Sequence, residues 1–232
     1  MTYRHYSFDV WLTLIRSNPD FRRERTAYFA SHFNPQGRST AEVDALVKEV
    51  DVACTRINEL IGQNIDAQEL FLLMAHRLGT DLAQVTPQRL IQVQHDLGEL
   101  FRAHPPRLTD EQLPQVLTEL RARGATLSLL SNTGLIRGAL LRQLWATIGL
   151  GELFAFQLYS DEVNLSKPNP AFFALLYQQT RQLPEHQSVA LPPDAIIHIG
   201  DNPVADQAGA IAAGLSARLI NPDQPGFTEL LR

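Results

Sequence analysis

The spacing of apolar residues changes period along the chain. Tyr6-Ser7-Phe8-Asp9-Val10-Trp11-Leu12-Thr13-Leu14-Ile15 is rich in aromatic and branched side chains, lies between Arg4-His5 and Arg16-Ser17-Asn18-Pro19, and predicts a buried strand followed by a turn. The next stretch is helical in period. Asn18-Pro19 opens a helix with Phe21, Tyr28 and Phe29 on one face, and Ser39-Thr40-Ala41-Glu42 has capping-box spacing. The helix behind that box carries a stripe of Val43, Leu46, Val47, Val50, Cys54, Ile57 and Leu60. A third helix runs from Asp66 to Leu78 and stops at Gly79, and a fourth runs from Thr86-Pro87 toward Arg102, before His104-Pro105-Pro106 breaks the pattern.

Beyond residue 105 strands and helices alternate. Thr109-Asp110-Glu111-Gln112 reads as a second capping box whose helix ends at Gly124. Strands are predicted at Ala125–Leu130, Phe156–Tyr159, Ala195–Ile199 and Ser216–Ile220, with helices near Leu135–Ile148 and Ala171–Gln179 and one ending near Gly214. Alternation of this kind implies βαβ units and a parallel sheet. The expected fold is therefore α/β, a Rossmann-like core formed by residues 1–16 and 105–232, with an all-helical insertion at 17–104 directly after the first strand. Turn signals at both junctions suit a lid over the carboxyl ends of the strands, where ligands bind in open α/β sheets.

Composition narrows the function. The 232 residues are 44% hydrophobic and 19% charged, with a formal net charge of −5, which speaks against nucleic acid as the partner. No apolar run approaches the roughly 20 residues of a membrane helix, no signal-like segment is evident, and the one cysteine, Cys54, fits a cytoplasmic location. Of the twenty basic residues only Lys48 and Lys167 are lysines.

Polar residues at strand ends carry the candidate chemistry. Asp9, Ser131 and Asp201 end three predicted strands, Lys167 lies a little downstream of a fourth, and Asp206 follows Asp201 by five residues. A carboxylate, a hydroxyl, an ammonium and two further carboxylates suit phosphoryl transfer. Asp9 would attack phosphorus, Ser131 and Lys167 would bind the phosphate oxygens, and Asp9 with Asp201 would hold Mg²⁺ through hard oxygen ligands. The turn Gly200-Asp201-Asn202-Pro203 opens a helix whose N-terminus favours anions.

In order and spacing these residues resemble the haloacid dehalogenase-like hydrolase superfamily. The strand with Asp9-Val10-Trp11-Leu12-Thr13-Leu14 matches its first motif in part. Leu129-Leu130-Ser131-Asn132, Ser166-Lys167-Pro168 and Gly200-Asp201 with Asp206 and Gly209-Ala210 match the other three. The resemblance implies a cap at 17–104, a phospho-aspartyl intermediate on Asp9, Mg²⁺ held by Asp9, Asp201 and the backbone carbonyl of Trp11, and a small phosphorylated substrate. Ser131, Asn132 and Lys167 would bind the phosphate, with Thr13 and Asp206 in support. It fails at two positions. The family's phosphatases have a second Asp, the general acid and base, where this chain has Trp11, and a Gly where it has Leu12. An indole offers only an N–H donor and cannot shuttle protons.

Three other readings follow from Trp11. Members that hydrolyse 2-haloacids carry an aromatic residue there and use no metal, but their fourth motif differs from Gly200-Asp201-Asn202-Pro203. Phosphonoacetaldehyde hydrolases need a cap lysine, for which Lys48 is the one candidate; its helical position beside Asp44 and Asp51 suits a solvated, ion-paired face instead. A non-catalytic ligand-binding relative would not need Asp9. Of the remaining polar residues, Arg16, Arg22, Arg23 and Arg25 suit a solvated helix face or an anionic substrate, and His32, His76 and His95 are potential proton donors from the cap. Asn132 would bond Asp9, position phosphate or cap the next helix. Asp161 lies in a loop from which it would orient Lys167, and Thr13 either bonds the nucleophile loop or is a β-branched strand residue.

Overall fold

The computed structural model describes residues 3–187 and 191–232. Its strands are β1 (His5–Phe8), β2 (Ile15–Arg16), β3 (Arg107–Leu108), β4 (Thr126–Ser131), β5 (Phe156–Tyr159), β6 (Ile196–Gly200) and β7 (Ser216–Leu219). Five of them form a parallel sheet in the order β5-β4-β1-β6-β7, with His5 level with Thr126 on one side and Ile196 on the other. The chain moves outward from β1 in both directions. The carboxyl end of β1 is therefore the point where strand order reverses, and there a crevice opens between the flanking connections.

The helices are α1 (Pro19–His32), α2 (Thr40–Ile61), α3 (Ala67–Leu78), α4 (Pro87–Ala103), α5 (Leu113–Ala122), α6 (Gly138–Thr147), α7 (Ser160–Val163), α8 (Pro170–Gln182), α9 (Pro184–Gln187) and α10 (Gly209–Ala212). Helices α1–α4 fall between β2 and β3, which pair antiparallel, Ile15 with Leu108 and Arg16 with Arg107, and tie the two connecting segments together. These helices have their own core, in which Phe29, Phe33, Val43, Val47, Phe71, Met74 and Leu97 are buried. Their starts follow the expected chemistry. Asn18 caps α1, Ser39 and Glu42 form the capping box of α2, Asp66 and Glu69 form another at α3, and Thr86 caps α4.

Four expectations are corrected. The run Tyr6–Ile15 is not one strand: after Phe8 it turns through Leu12, whose φ is +60°, and both Leu14 and Ile15 N–H groups donate back to Val10. The α2 stripe ends at Cys54; Ile57 and Leu60 are exposed and Asn58 is buried in their stead, because its carboxamide accepts the Ile65 N–H at the turn into α3. The second capping box does not form. α5 begins at Leu113 without a side-chain cap, and Asp110 instead accepts the Gln112 N–H in the preceding turn. Ser160-Asp161-Glu162 is a helical turn, α7, and not a loop.

The two faces of the sheet differ. Tyr6, Phe8, Leu127, Leu129, Ile197 and Ile199 pack with Leu113 and Leu117 of α5 and with Leu141 and Trp145 of α6. On the opposite face Leu130 and Ile196 meet Phe172, Phe173 and Leu176 of α8. That second face also buries polar side chains in the middle of strands. His5 lies between Thr126 Oγ1 (2.7 Å) and Ser128 Oγ (2.8 Å) and stacks on Phe156. Ser7 Oγ lies 3.0 Å from His198 Nδ1. Each buried polar group is thus matched by a partner on the next strand, as burial requires.

Burial lowers the His5 pKa from 6.5 to about 3, with the charge of His186 acting in the same direction. Between those two values the unfolded chain binds a proton that the native chain refuses, so stability falls as pH falls through this window, by up to about 1.4 kcal/mol per unit. Urea unfolding at pH 7, 6 and 5 is expected to give a declining free energy, and His5→Gln, which keeps donor and acceptor capacity, to flatten the slope by about one proton. An unaltered slope in His5→Gln would remove this histidine as the cause.

Candidate active site

Asp9 follows β1 directly, its N–H donating to the Ile199 carbonyl, and its carboxyl is almost completely buried. Ser131 ends β4, and its hydroxyl donates to Asp9 Oδ1 at 3.2 Å. The Lys167 ammonium, buried between them, donates to Asp9 Oδ1 at 2.7 Å, Asp206 Oδ1 at 2.6 Å and the Leu130 carbonyl at 2.8 Å. An ammonium has three protons, so this set satisfies it and fixes its direction. The Lys167 backbone is held as firmly: its N–H donates to Asn132 Oδ1 and its carbonyl accepts from Asn132 Nδ2. Asn132 therefore positions the lysine loop, and neither bonds Asp9 nor caps α6.

Asp206 is organised from three sides. It accepts from Lys167, from the Asn202 N–H at 2.9 Å and from His198 Nε2 at 3.0 Å. An ionised carboxylate only accepts, so the His198 Nε2 carries the proton and Nδ1 accepts from Ser7. Gly200 is required by the close approach of Asp206: an added Cβ would collide with the Asp206 carboxyl group. Asp201 follows β6, and Asn202 accepts from the Val204 and Ala205 N–H groups, starting the turn that leads into α10. His198 is a site residue that the sequence does not signal, since a histidine at mid-strand reads as ordinary.

The charges do not balance within this cluster. Burial pushes Asp9 above its ordinary value, against the pull of Lys167, and the charge of Asp206 adds to the rise. Burial and the charges of Asp9 and Asp206 push Asp201 up to about 7. Burial also opposes ionisation of Asp206, but Lys167 and His198 outweigh it and hold Asp206 well below the usual range. For Lys167, burial opposes the charge and the two carboxylates override it, raising its pKa. His198 is lowered, chiefly by burial, and stays neutral. Oxygens of Asp9, Asp201 and Asp206 lie within 4.8 Å of one another, an all-oxygen donor set with an excess of negative charge, which fits a hard divalent cation.

A cleft of about 380 Å³ opens over these residues. Its floor includes Asp9, Lys167 and Asp201, and its far wall is made by Phe21 and Arg25 of α1 and by Asp51, Thr55, Asn58 and Glu59 of α2. The wall is joined to the floor by direct bonds. Asn202 donates to Glu59 at 2.8 Å, Asn169 and the Ser166 N–H both donate to the Gly62 carbonyl, Ser160 donates to Asn64, and Arg137 spans both oxygens of Asp66.

Other candidate residues fall elsewhere. Asp161 bonds Thr133 and the Gly138 N–H and does not orient Lys167. The Thr13 hydroxyl is buried without a partner, so Thr13 does not bond the nucleophile loop by its side chain. Lys48 is exposed, and the ion pairs expected for it do not form: Asp44 is taken by Arg22, and Asp51 lines the cleft. His32, His76 and His95 are exposed and outside the cleft lining. Of the four arginines, Arg16 pairs with Asp223, Arg22 with Asp44, and Arg23 with Asp20 and Glu24; Arg25 alone of the four lines the cleft.

Comparison with known proteins agrees with the fold. A phosphoserine phosphatase of Thermus thermophilus is 33% identical over 122 residues, which is 50% of this chain and 43% of that protein, so the chain spans less than half the length of this curated relative. A HAD-hydrolase from Bacillus subtilis, solved bound to magnesium, superposes with a TM-score of 0.69 at 19% identity, covering 96% of this chain and 91% of its own. A 2-haloacid dehalogenase from Pseudomonas syringae superposes with a TM-score of 0.62 at 18% identity, covering 99% and 98%. The sequence profile of the haloacid dehalogenase-like hydrolases matches residues 3–214, and the chain belongs to that family.

Proposed function

We propose that this chain hydrolyses small phosphate monoesters with Mg²⁺, through a phospho-aspartyl intermediate on Asp9. The observation that carries the reading is the buried set of three carboxylates around one saturated lysine. A single ammonium cannot neutralise Asp9, Asp201 and Asp206, and one divalent cation brings the sum of their charges to zero. The phosphoserine phosphatase relative supports the phosphatase class. Asp9, Asp201 and the Trp11 carbonyl would hold the metal, with Asp206 in reach through its fixed contacts. Bound there, Mg²⁺ supplies charge neutralisation for the phosphoryl oxygens.

The side chains divide the remaining work. Asp9 Oδ2 is the oxygen not engaged by Lys167 and Ser131, and it is the one that attacks phosphorus, breaking the bond to the leaving oxygen. Lys167 and Ser131 orient the carboxylate, and to meet phosphate oxygens each would give up one of its present acceptors. Asp206 and His198 keep the ammonium charged and aimed. Helices α1–α4 act as a cap, and the β2–β3 pair is the stem on which it moves. The Trp11 indole gives no proton to the leaving group and takes none from the attacking water, so leaving groups that need protonation react slowly. No helix among the described residues is long and apolar enough to cross a membrane; we infer a cytoplasmic enzyme acting on a free small molecule, with neither nucleic acid nor membrane as partner.

Phosphate release from a panel of esters, one with an activated aryl leaving group, is expected to need Mg²⁺ and to fall by at least about 10³-fold in Asp9→Asn. Metal-independent chloride release from 2-chloropropionate, with no phosphate release, would replace this reading with the dehalogenase one. Trp11→Asp is expected to raise turnover of alkyl phosphates on the order of 10²-fold while changing the aryl ester far less; equal effects on both would show that protonation does not limit the reaction. His198→Leu removes one donor from Asp206 and is expected to lower kcat about tenfold with little change in KM, a split that steady-state kinetics reads directly.

A further inference from the structure

The cleft wall holds two opposite charges that do not close on each other. Arg25 lines the cleft with Nε buried and without a hydrogen-bond partner among the described residues, and its guanidinium lies over the Phe21 ring, 5.9 Å from the centroid. No carboxylate lies within ion-pair distance of it among the described residues, although Arg22 and Arg23 on the same helix are both paired. Asp51 on the neighbouring helix is half-buried, lines the same cleft, and its carboxylate makes neither hydrogen bond nor ion pair among the described residues. Each is felt by the other: Arg25 lowers the Asp51 pKa against the rise caused by burial, and Asp51 supports the Arg25 charge against burial.

Leaving a cation and an anion partly buried and unpaired is costly, and folded chains seldom keep such groups without an occupant to match them. An anion alone would meet Arg25 and be repelled by Asp51, and a cation alone would meet the reverse. A ligand carrying both charges satisfies both. Building on the phosphatase reading above, we propose that Arg25 and Asp51 form a subsite for the zwitterionic tail of the substrate, Arg25 binding a carboxylate and Asp51 an ammonium. The substrate class is then a phosphate monoester of a hydroxy amino acid. A cleft of about 380 Å³ is near the small end of ligand pockets and suits a molecule of this size.

Four phosphates that share the phosphate–O–CH2–C unit separate the charges: O-phosphoserine with both, phosphoethanolamine without the carboxylate, 3-phosphonooxypropionate without the ammonium, and ethyl phosphate with neither. Binding is read by calorimetry on Asp9→Asn with Mg²⁺, and turnover by phosphate release from the unsubstituted chain. O-phosphoserine is expected to be preferred over ethyl phosphate by about 10²-fold or more in both readouts. Arg25→Gln should erase the preference for the carboxylate, Asp51→Asn the preference for the ammonium, each by about 30-fold, and Arg25→Lys should restore part of the first. Because Arg25 has no structural ion pair, Arg25→Gln should not lower the thermal midpoint. All four ligands binding within threefold of one another, or Arg25→Gln weakening all four equally, would overturn the subsite. Absence of phosphate release from any ester would overturn the phosphatase reading alone, since the calorimetry still decides the subsite.

Discussion

One buried ammonium organises the active end of this molecule. Lys167 joins Asp9 from β1, the Leu130 carbonyl from β4 and Asp206 from the turn after β6, so three neighbouring strands converge on a single group. Removing one partner of such a buried pair typically costs about 3–5 kcal/mol, because the other charge is left without compensation. The arrangement is therefore self-enforcing. Asp206 needs Lys167 and His198 to stay ionised, Lys167 needs two carboxylates to stay charged against burial, and Asn132 holds the lysine backbone from both its N–H and its carbonyl.

The sheet supplies the rigidity this requires. Its apolar face is packed against α5 and α6, while the opposite face runs a line of polar contacts from Ser7 through His198 to Asp206 and then to Lys167 and Asp9. A polar file inside a sheet is tolerated only when each member has a partner, and here each has one. The helical layer over the cleft is attached differently. The segment between α2 and α3 reaches the α/β part through Gly62, Asn64 and Asp66, by bonds to neutral groups and one half-exposed ion pair.

Trp11 and Leu12 stand in the turn that follows Asp9. Leu12 sits at a φ of +60°, a conformation that glycine adopts freely and a leucine adopts at a cost of about 1–2 kcal/mol. The turn that presents Asp9 thus takes its shape without a glycine at this position. Its geometry is held by the tight returns of the Leu14 and Ile15 N–H groups to Val10. Trp11 lines the cleft, where its indole offers an N–H donor and apolar surface.

Much of this was legible in one dimension. Alternating period, caps at Asn18, Ser39, Asp66 and Thr86, and polar residues at strand ends are local signals, and local signals place Asp9, Ser131, Lys167, Asp201 and Asp206 at the same end of a parallel sheet, because strands of one direction bring their carboxyl ends together. The role of His198 was not legible, because its meaning depends on Ser7 and Asp206, which only strand register and a tight turn bring to its two nitrogens. Nor could Arg25 be told from Arg22 and Arg23 by type or spacing. Their difference lies in which side of α1 meets α2 and which looks into the cleft, and helix packing settles that through contacts some twenty residues or more away in the chain.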